Sequence, residues 1–167
     1  MDASGLQQFV PTEVCFQCDI CCRFTDYQSE WNPSVAEQEL YCFIKAGYPP
    51  ALFDKDNKIK TIPREDIHIC PLFDYNKKLC TAYAIRPFDC ALYPFVLTRD
   101  NKKICLAVDT QCPFVQQKRN TEDFTRFVAY LTKELSSEKW QGIIRNNPQL
   151  IGTYKEHINM LQELYQE

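Results

Sequence analysis

Cys15-Phe16-Gln17-Cys18-Asp19-Ile20-Cys21-Cys22 is the stretch that decides how this chain is read, because it holds four of the ten cysteines within eight residues. Two cysteines separated by two residues can direct both thiolates at one metal ion when the backbone turns tightly. Two such spacings therefore predict a metal-binding knuckle, in preference to cysteines that serve only as small buried hydrophobic side chains. Adjacent Cys21 and Cys22 rarely reach one ion without straining the peptide between them. We expect one to point into the site and the other elsewhere, toward a second metal position or another side of a cluster.

Length and composition indicate a folded globular protein. The chain has 167 residues, of which 45% are hydrophobic and 13% aromatic, enough for a real core. We expect a single domain over residues 1–167, with a cysteine-rich core at 15–114 and C-terminal helices at 121–166. The formal charge of −3 and the lack of a basic run disfavour nucleic-acid binding.

The first eight residues carry neither the positive start nor the apolar stretch of a signal peptide. No window of the sequence is long and apolar enough for a membrane span. We therefore expect a cytoplasmic protein without membrane contact. In that compartment thiols stay reduced, so a cysteine framework is expected to hold metal rather than disulfides.

Local patterns predict short hairpins followed by helices. Asn32 and Pro33 mark the start of a helix that ends at Gly47 and carries Cys42 in a packing role. Strands are expected at 58–62 and 67–73, and a hairpin through 74–78 would bring Cys70 near Cys80. A second hairpin is expected around 99–102. Helices should follow from Thr121, from Ser136 or Ser137 to before Asn147, and over a last stripe from Leu150 to Leu164.

Four further cysteines, widely spaced, extend the knuckle to eight candidate metal ligands. Eight thiolates are enough for two tetrahedral sites, and one four-cysteine cluster with further structural ligands is equally consistent with the sequence. Soft thiolates select zinc or iron, including an iron–sulfur cluster, over calcium and magnesium. The eight candidates are Cys15, Cys18, Cys21, Cys22, Cys70, Cys80, Cys90 and Cys112.

The order of these motifs resembles the CxxCxxCC cysteine-cluster family, described as a zinc- or iron-chelating domain. The knuckle supplies the first motif, and Arg86-Pro87-Phe88-Asp89-Cys90-Ala91-Leu92-Tyr93-Pro94-Phe95 supplies the later one, with Cys112-Pro113 as the last cysteine. The resemblance covers about residues 15–114 and implies metal chelation through the eight cysteines. Asp19 and Ala91 depart from the family's usual Gly and Arg, and Cys42 and Cys105 are extra to its pattern.

Two other residues are candidates near the cysteines. His68 lies two residues before Cys70 and on a strand would face the same side, as a ligand or a hydrogen-bond donor behind one; a surface histidine, or one whose hydrogen bonds are met elsewhere, is the alternative. Arg86 is a candidate cofactor-binding residue, because its guanidinium could offset thiolate charge; a salt bridge that shapes the turn before Pro87 is the alternative. No catalytic or nucleotide-binding motif is present, so the sequence gives no reason to predict an enzyme.

These observations predict an α+β protein with a cysteine-rich metal-binding core of knuckle and short antiparallel hairpins, covered by helices and ending in a C-terminal helical segment. The first functional hypothesis is a zinc- or iron-binding protein. The alternatives are a redox or catalytic iron–sulfur protein, and an interaction module whose metal is structural and whose C-terminal helices bind a protein partner.

Overall fold

The computed structural model describes residues 6–166 and divides them into two compact units. The first unit contains residues 10–91, and the second contains residues 6–9 together with 92–166. Our expectation of a single domain stays a prediction. None of the helices in residues 6–166 combines the length and the apolar character needed to cross a membrane.

The first unit is built from short elements. Its helices are α1 (Thr12–Cys15) and α2 (Glu37–Lys45), and α3 (Phe88–Leu92) begins near its end. Its strands, each of two or three residues, are β1 (Arg23–Phe24), β2 (Ile62–Arg64), β3 (Ile67–Ile69), β4 (Phe73–Asp74) and β5 (Leu79–Cys80).

Two small antiparallel sheets shape this unit. β3 lies between β1 and β2, and β4 pairs only with β5. A cluster of buried side chains that includes Val35, Phe43 and Ile59 packs beside them. Phe43 contacts Phe53 edge-to-face, with 5.5 Å between ring centroids. The cluster also takes in Cys70, so one candidate ligand belongs to the hydrophobic core.

The second unit has longer elements. Its strands are β6 (Phe95–Asp100), β7 (Lys103–Asp109), β8 (Ile151–Gly152) and β9 (Ile158–Gln166), in the sheet order β8-β6-β7-β9. Its helices are α4 (Pro113–Lys118), α5 (Glu122–Leu135) and α6 (Glu138–Asn146). The hairpin of β6 and β7 and the helices α5 and α6 confirm the sequence prediction. Thr121 caps α5 as expected, because its hydroxyl accepts a hydrogen bond from Phe124 N.

The α+β class and the C-terminal helices are confirmed, but the last predicted helix is wrong: residues 158–166 form the strand β9. β9 pairs with β7 through two register shifts, between Ile104 and Cys105 and between Leu106 and Ala107. The extra residues in β9 are Leu161 and Leu164. Each bulge breaks the alternation of side chains between faces, so apolar residues recur at spacings that imitate a helix.

The predicted start of α2 is also wrong, because the helix begins at Glu37 rather than at Pro33. Residues 33–35 are instead held by main-chain bonds to 57–59: Ile59 N donates to Pro33 O, and Val35 N donates to Asn57 O, each at 2.9 Å. The strand expected at 58–62 is also misplaced. Residues 57–59 pair with 33–35, and the strand β2 begins only at Ile62.

Candidate metal centre

The knuckle consists of two successive tight turns. After α1 the main-chain N–H of Cys18 donates to Cys15 O at 3.2 Å, and the N–H of Cys22 donates to Asp19 O at 2.9 Å. Residues Ile20–Cys22 form one turn of 3₁₀ helix. An ion pair of 2.8 Å between Arg23 and Asp19 spans the second turn. The first C-x₂-C spacing is thus closed into a turn, and the second turn spans residues 19–22; that the knuckle directs its thiolates at a metal stays a prediction.

Main-chain pairing brings Cys70 to the knuckle. β1 follows the knuckle directly and pairs with β3, so that Arg23 lies opposite Ile69. The N–H of Cys70 then donates to Cys22 O at 2.9 Å. Two cysteines that are 48 positions apart (70 minus 22) are thus joined by one hydrogen bond.

The β4–β5 hairpin brings Cys80 into the same region, as the sequence predicted. Cys80 lies opposite Phe73 in the ladder, and the N–H of Phe73 donates to Cys70 O at 3.0 Å. The thiol of Cys80 is near enough to raise the pKa of Cys70. Cys90 enters from α3, where it is half-buried.

Burial and mutual repulsion raise the pKa of these thiols. Burial raises the pKa of Cys70 to about 12, with Cys80 and Cys21 adding to it. The pKa of Cys90 rises through burial, then through the charges of Asp89 and of three thiols, those of Cys70, Cys21 and Cys80. Burial likewise raises the pKa of Cys80, which Arg86 lowers. These effects mark a neighbourhood of five thiols, the five-thiol cluster: Cys21, Cys22, Cys70, Cys80 and Cys90.

The side chains of the adjacent cysteines Cys21 and Cys22 are close neighbours. The side chains of Cys21 and Cys22 hydrogen-bond to each other, which is the largest cause of the raised pKa of Cys22. Cys70 and Cys90 also raise the pKa of Cys22, while Cys21 acts on Cys70, Cys80 and Cys90. The expectation that one of the pair points into a metal site and the other elsewhere stays a prediction.

The donor set fits a soft metal, although the side chains are not arranged as ligands. Within residues 6–166, no three His, Cys, Asp or Glu side chains stand in a metal-binding geometry, and no disulfide joins any of the ten cysteines. Thiolates are the preferred ligands of zinc and of iron in iron–sulfur clusters. A bound cation would favour the thiolate form and so reverse the upward shift of the thiol pKa values.

The remaining predicted ligands are Cys15, Cys18 and Cys112. Cys15 and Cys18 are half-buried in the knuckle. Cys112 is buried in the second unit, where it precedes α4 as its N-cap residue. Their role as ligands stays a prediction.

The two cysteines that do not match the family pattern differ from each other. Cys105 is buried in β7, in keeping with a small hydrophobic role. Cys42 is exposed on α2, so the packing role predicted for it is wrong. On α2 the buried side chains are Glu39 and Phe43, and Cys42 falls one residue before Phe43, off that face.

Arg86 and His68 have distinct surroundings. The Arg86 guanidinium lies 4.0 Å from the centroid of the Tyr83 ring and lowers the pKa of Cys80. Tyr83 in turn contacts Phe16 of the knuckle, with 4.7 Å between ring centroids. His68 faces the ring of Tyr27 at 6.4 Å, and its buried Nδ1 has no hydrogen-bond partner among residues 6–166. The roles of Arg86 toward a cofactor and of His68 toward a metal stay predictions.

Two carboxylates at the start of α3, the helix that carries Cys90, were missed by the sequence reasoning. Glu39 is buried with 4% exposure and accepts the N–H of Phe88 at 2.7 Å. Asp89 accepts the N–H of Ser34 at 2.8 Å. For Glu39 the sequence did hold a signal of burial. Glu39 lies within the apolar stripe of α2, where a solvent-exposed residue would not be expected.

Comparison with known proteins places the cysteine region in a family. Residues 14–113, which make up more than half of the chain and include all ten cysteines, match the CxxCxxCC family, described as "Putative zinc- or iron-chelating domain". No curated protein and no solved structure matches the chain. The matched region contains the knuckle and the Arg86–Phe95 segment on which the resemblance rested. The chain therefore belongs to the CxxCxxCC family of zinc- or iron-chelating domains.

Proposed function

We propose that this protein binds zinc or iron through its cysteine cluster, and that the metal stabilises the fold of the first unit. The observation that carries the proposal is the main-chain pairing that joins Cys70 to Cys22 of the knuckle and sets Cys80 opposite Phe73, whose N–H donates to Cys70 O. The raised pKa values of the five-thiol cluster, to which four separate segments contribute, agree with it. These segments are separated along the sequence and meet only in the folded first unit. Ligation is the use of clustered reduced thiols that the family description supports.

The short strands of the first unit support a structural role for the metal. Its five strands have two or three residues each, so they offer few main-chain hydrogen bonds. Isolated two-stranded ribbons of this length are marginal in water. A metal held by cysteines from the knuckle, from the end of β3, from β5 and from α3 would join all of these elements. In small metal domains such binding supplies folding free energy directly.

We propose Cys15, Cys18, Cys21, Cys22, Cys70, Cys80, Cys90 and Cys112 as the ligand set. The thiols of the five-thiol cluster are its best-supported members, because distant segments converge on them. Cys15 and Cys18 are included because they belong to the same knuckle as Cys21 and Cys22, whose turns are closed by main-chain hydrogen bonds. Cys112 is included through the family pattern. Arg86 is expected to offset part of the thiolate charge beside Cys80.

Purification without oxygen, followed by metal analysis and a visible spectrum, tests the proposal. We expect a stoichiometric amount of zinc or iron. A colourless zinc protein favours the structural role, and a brown protein with broad visible absorption favours the iron–sulfur alternative. Oxygen-free protein with neither metal, and without thiolate-to-metal absorption after addition of cobalt(II), would refute metal binding.

The alternative functions depend on the outcome of that measurement. An iron–sulfur cluster that accepts electrons reversibly would support a redox role, which burial of Cys70 would assist by shielding the cluster from water. A zinc protein would leave the interaction module as the remaining alternative, with α5 and α6 as the surface for a protein partner.

A further inference from the structure

Glu39 is a buried carboxylate whose two oxygens hold two different parts of the main chain. Oε2 accepts the N–H of Ala36 at 2.9 Å, and Oε1 accepts the N–H of Phe88 at 2.7 Å. The first bond caps α2, since Ala36 is its N-cap residue and has no side-chain acceptor of its own. The second bond reaches the residue two positions before Cys90. One carboxylate therefore links the start of α2 to the start of α3.

A second carboxylate makes the same connection in the opposite direction. Asp89, on α3, accepts the N–H of Ser34 at 2.8 Å. Burial raises the pKa of Asp89, and the positive charge of nearby Lys58 lowers it in part. The two residues that precede Cys90 are thus joined to residues 34–39 by hydrogen bonds to carboxylate acceptors, which are shorter and stronger than bonds to neutral acceptors.

This arrangement is costly for an ordinary helix cap. Glu39 is 4% exposed, and burial of a carboxylate opposes its ionisation. Capping of α2 alone could be served by a serine or threonine at the N-cap position without a buried charge. The bond to Phe88 is the part that a simple cap does not explain. Phe88 itself is 1% exposed, so its main chain has little freedom once Glu39 holds it.

We propose that Glu39 is a positioning residue of the metal centre, which acts by fixing the main chain that presents Cys90 to the metal. This inference rests on the proposed function, because it requires Cys90 to be a ligand. Groups behind metal ligands orient them, and their loss typically lowers metal affinity by about 10- to 100-fold. Glu39 would do so through the backbone of α3 rather than by contact with the sulfur.

Glu39→Gln in the full chain tests the proposal. The amide keeps one acceptor oxygen and turns an NH₂ donor toward the other N–H, so one of the two main-chain bonds is lost. Glu37→Gln is the matched control, because Glu37 is exposed on the same turn of α2. Each protein is loaded with cobalt(II), whose thiolate charge-transfer and d–d bands report ligand geometry. Release of cobalt to a chelator is then timed at a temperature where circular dichroism shows each protein folded.

We expect Glu39→Gln to shift the cobalt bands and to accelerate release by about tenfold or more, and Glu37→Gln to match the wild type. In the Cys90→Ser background, Glu39→Gln should add little to the release rate, because it acts through Cys90. A purely structural role would lower the melting temperature and leave the bands of the folded protein unchanged.

Glu39→Asp carries the test if the glutamine variant does not fold. Aspartate keeps the charge and can still cap α2, but it is one methylene too short to reach Phe88 as well. If the folded variant has the cobalt bands and the cobalt release rate of the wild type, the positioning role of Glu39 is wrong. The proposed metal centre is not affected by that result. A wild-type protein without thiolate-to-cobalt absorption would overturn both.

Discussion

Replacing Cys105 by serine should lower stability without removing metal. Cys105 is 5% exposed in β7, between Thr98 of β6 and Glu163 of β9. Its Sγ lies 3.9 Å from Lys103 O, a distance that suits a weak thiol hydrogen bond and is too long for a hydroxyl in the same place. A serine there would be desolvated with a poor partner, so we expect a loss of about 1–3 kcal/mol.

That loss should appear in thermal unfolding while the metal content stays constant. For a chain of this size about 1 kcal/mol corresponds to roughly 2–4 °C in melting temperature. Cys90→Ser is the matched comparison, because it makes the same chemical change in the five-thiol cluster, and it should lower the metal content. The reasoning fails if Cys105→Ser releases metal as Cys90→Ser does, or if Cys90→Ser keeps the full complement.

Three further outcomes are expected. Chelation should speed amide hydrogen exchange in residues 15–90 and spare β6, β7 and β9, since a structural metal supplies on the order of 10 kcal/mol of folding free energy; unchanged exchange in residues 15–90 would contradict a structural metal. Cys42→Ala should be neutral or stabilise by up to about 0.7 kcal/mol in urea unfolding, because Cys42 is exposed on a helix, and a loss above about 1 kcal/mol would contradict that exposure. Burial raises the pKa of Glu39 above its ordinary 4.5. The folded protein therefore holds the Glu39 proton more tightly than the unfolded chain does. The stability gained from this is fully present at pH values below the unfolded-state pKa of 4.5, and it is lost as the pH rises through the higher folded-state pKa. Wild-type stability relative to Glu39→Gln should fall with rising pH, and parallel urea-unfolding curves across that range would refute this.

Local signals in the sequence were enough for the parts of the fold that depend on neighbouring residues. The knuckle follows from two C-x₂-C spacings, and the cap of α5 follows from Thr121. The β6–β7 hairpin follows from two apolar runs around a polar turn, with Asn101 in the left-handed region at φ 55°. In each case the residues that determine the structure lie within one short continuous stretch of the chain.

The errors arose where distant residues decide the structure. Pairing of 33–35 with 57–59 overrides a reasonable helix start at Asn32, because those main-chain bonds require extended backbone. The bulges in β9 hide a strand behind helical spacing. The role of Glu39 depends on Phe88, 49 residues away, and no local pattern could have indicated that contact.

The two units differ in what holds them together, and this difference explains where the cysteines lie. The sheet of the second unit has strands of six, seven and nine residues and an aromatic cluster in which Phe95 stacks on Phe127 and contacts Phe9. Such a core stabilises itself through buried apolar area and long ladders of hydrogen bonds. The first unit has strands of two or three residues, and eight of the ten cysteines belong to it. If the metal has the structural role proposed for it, it joins the elements whose main-chain pairing is shortest, so its loss should act first on the knuckle and the hairpins around it.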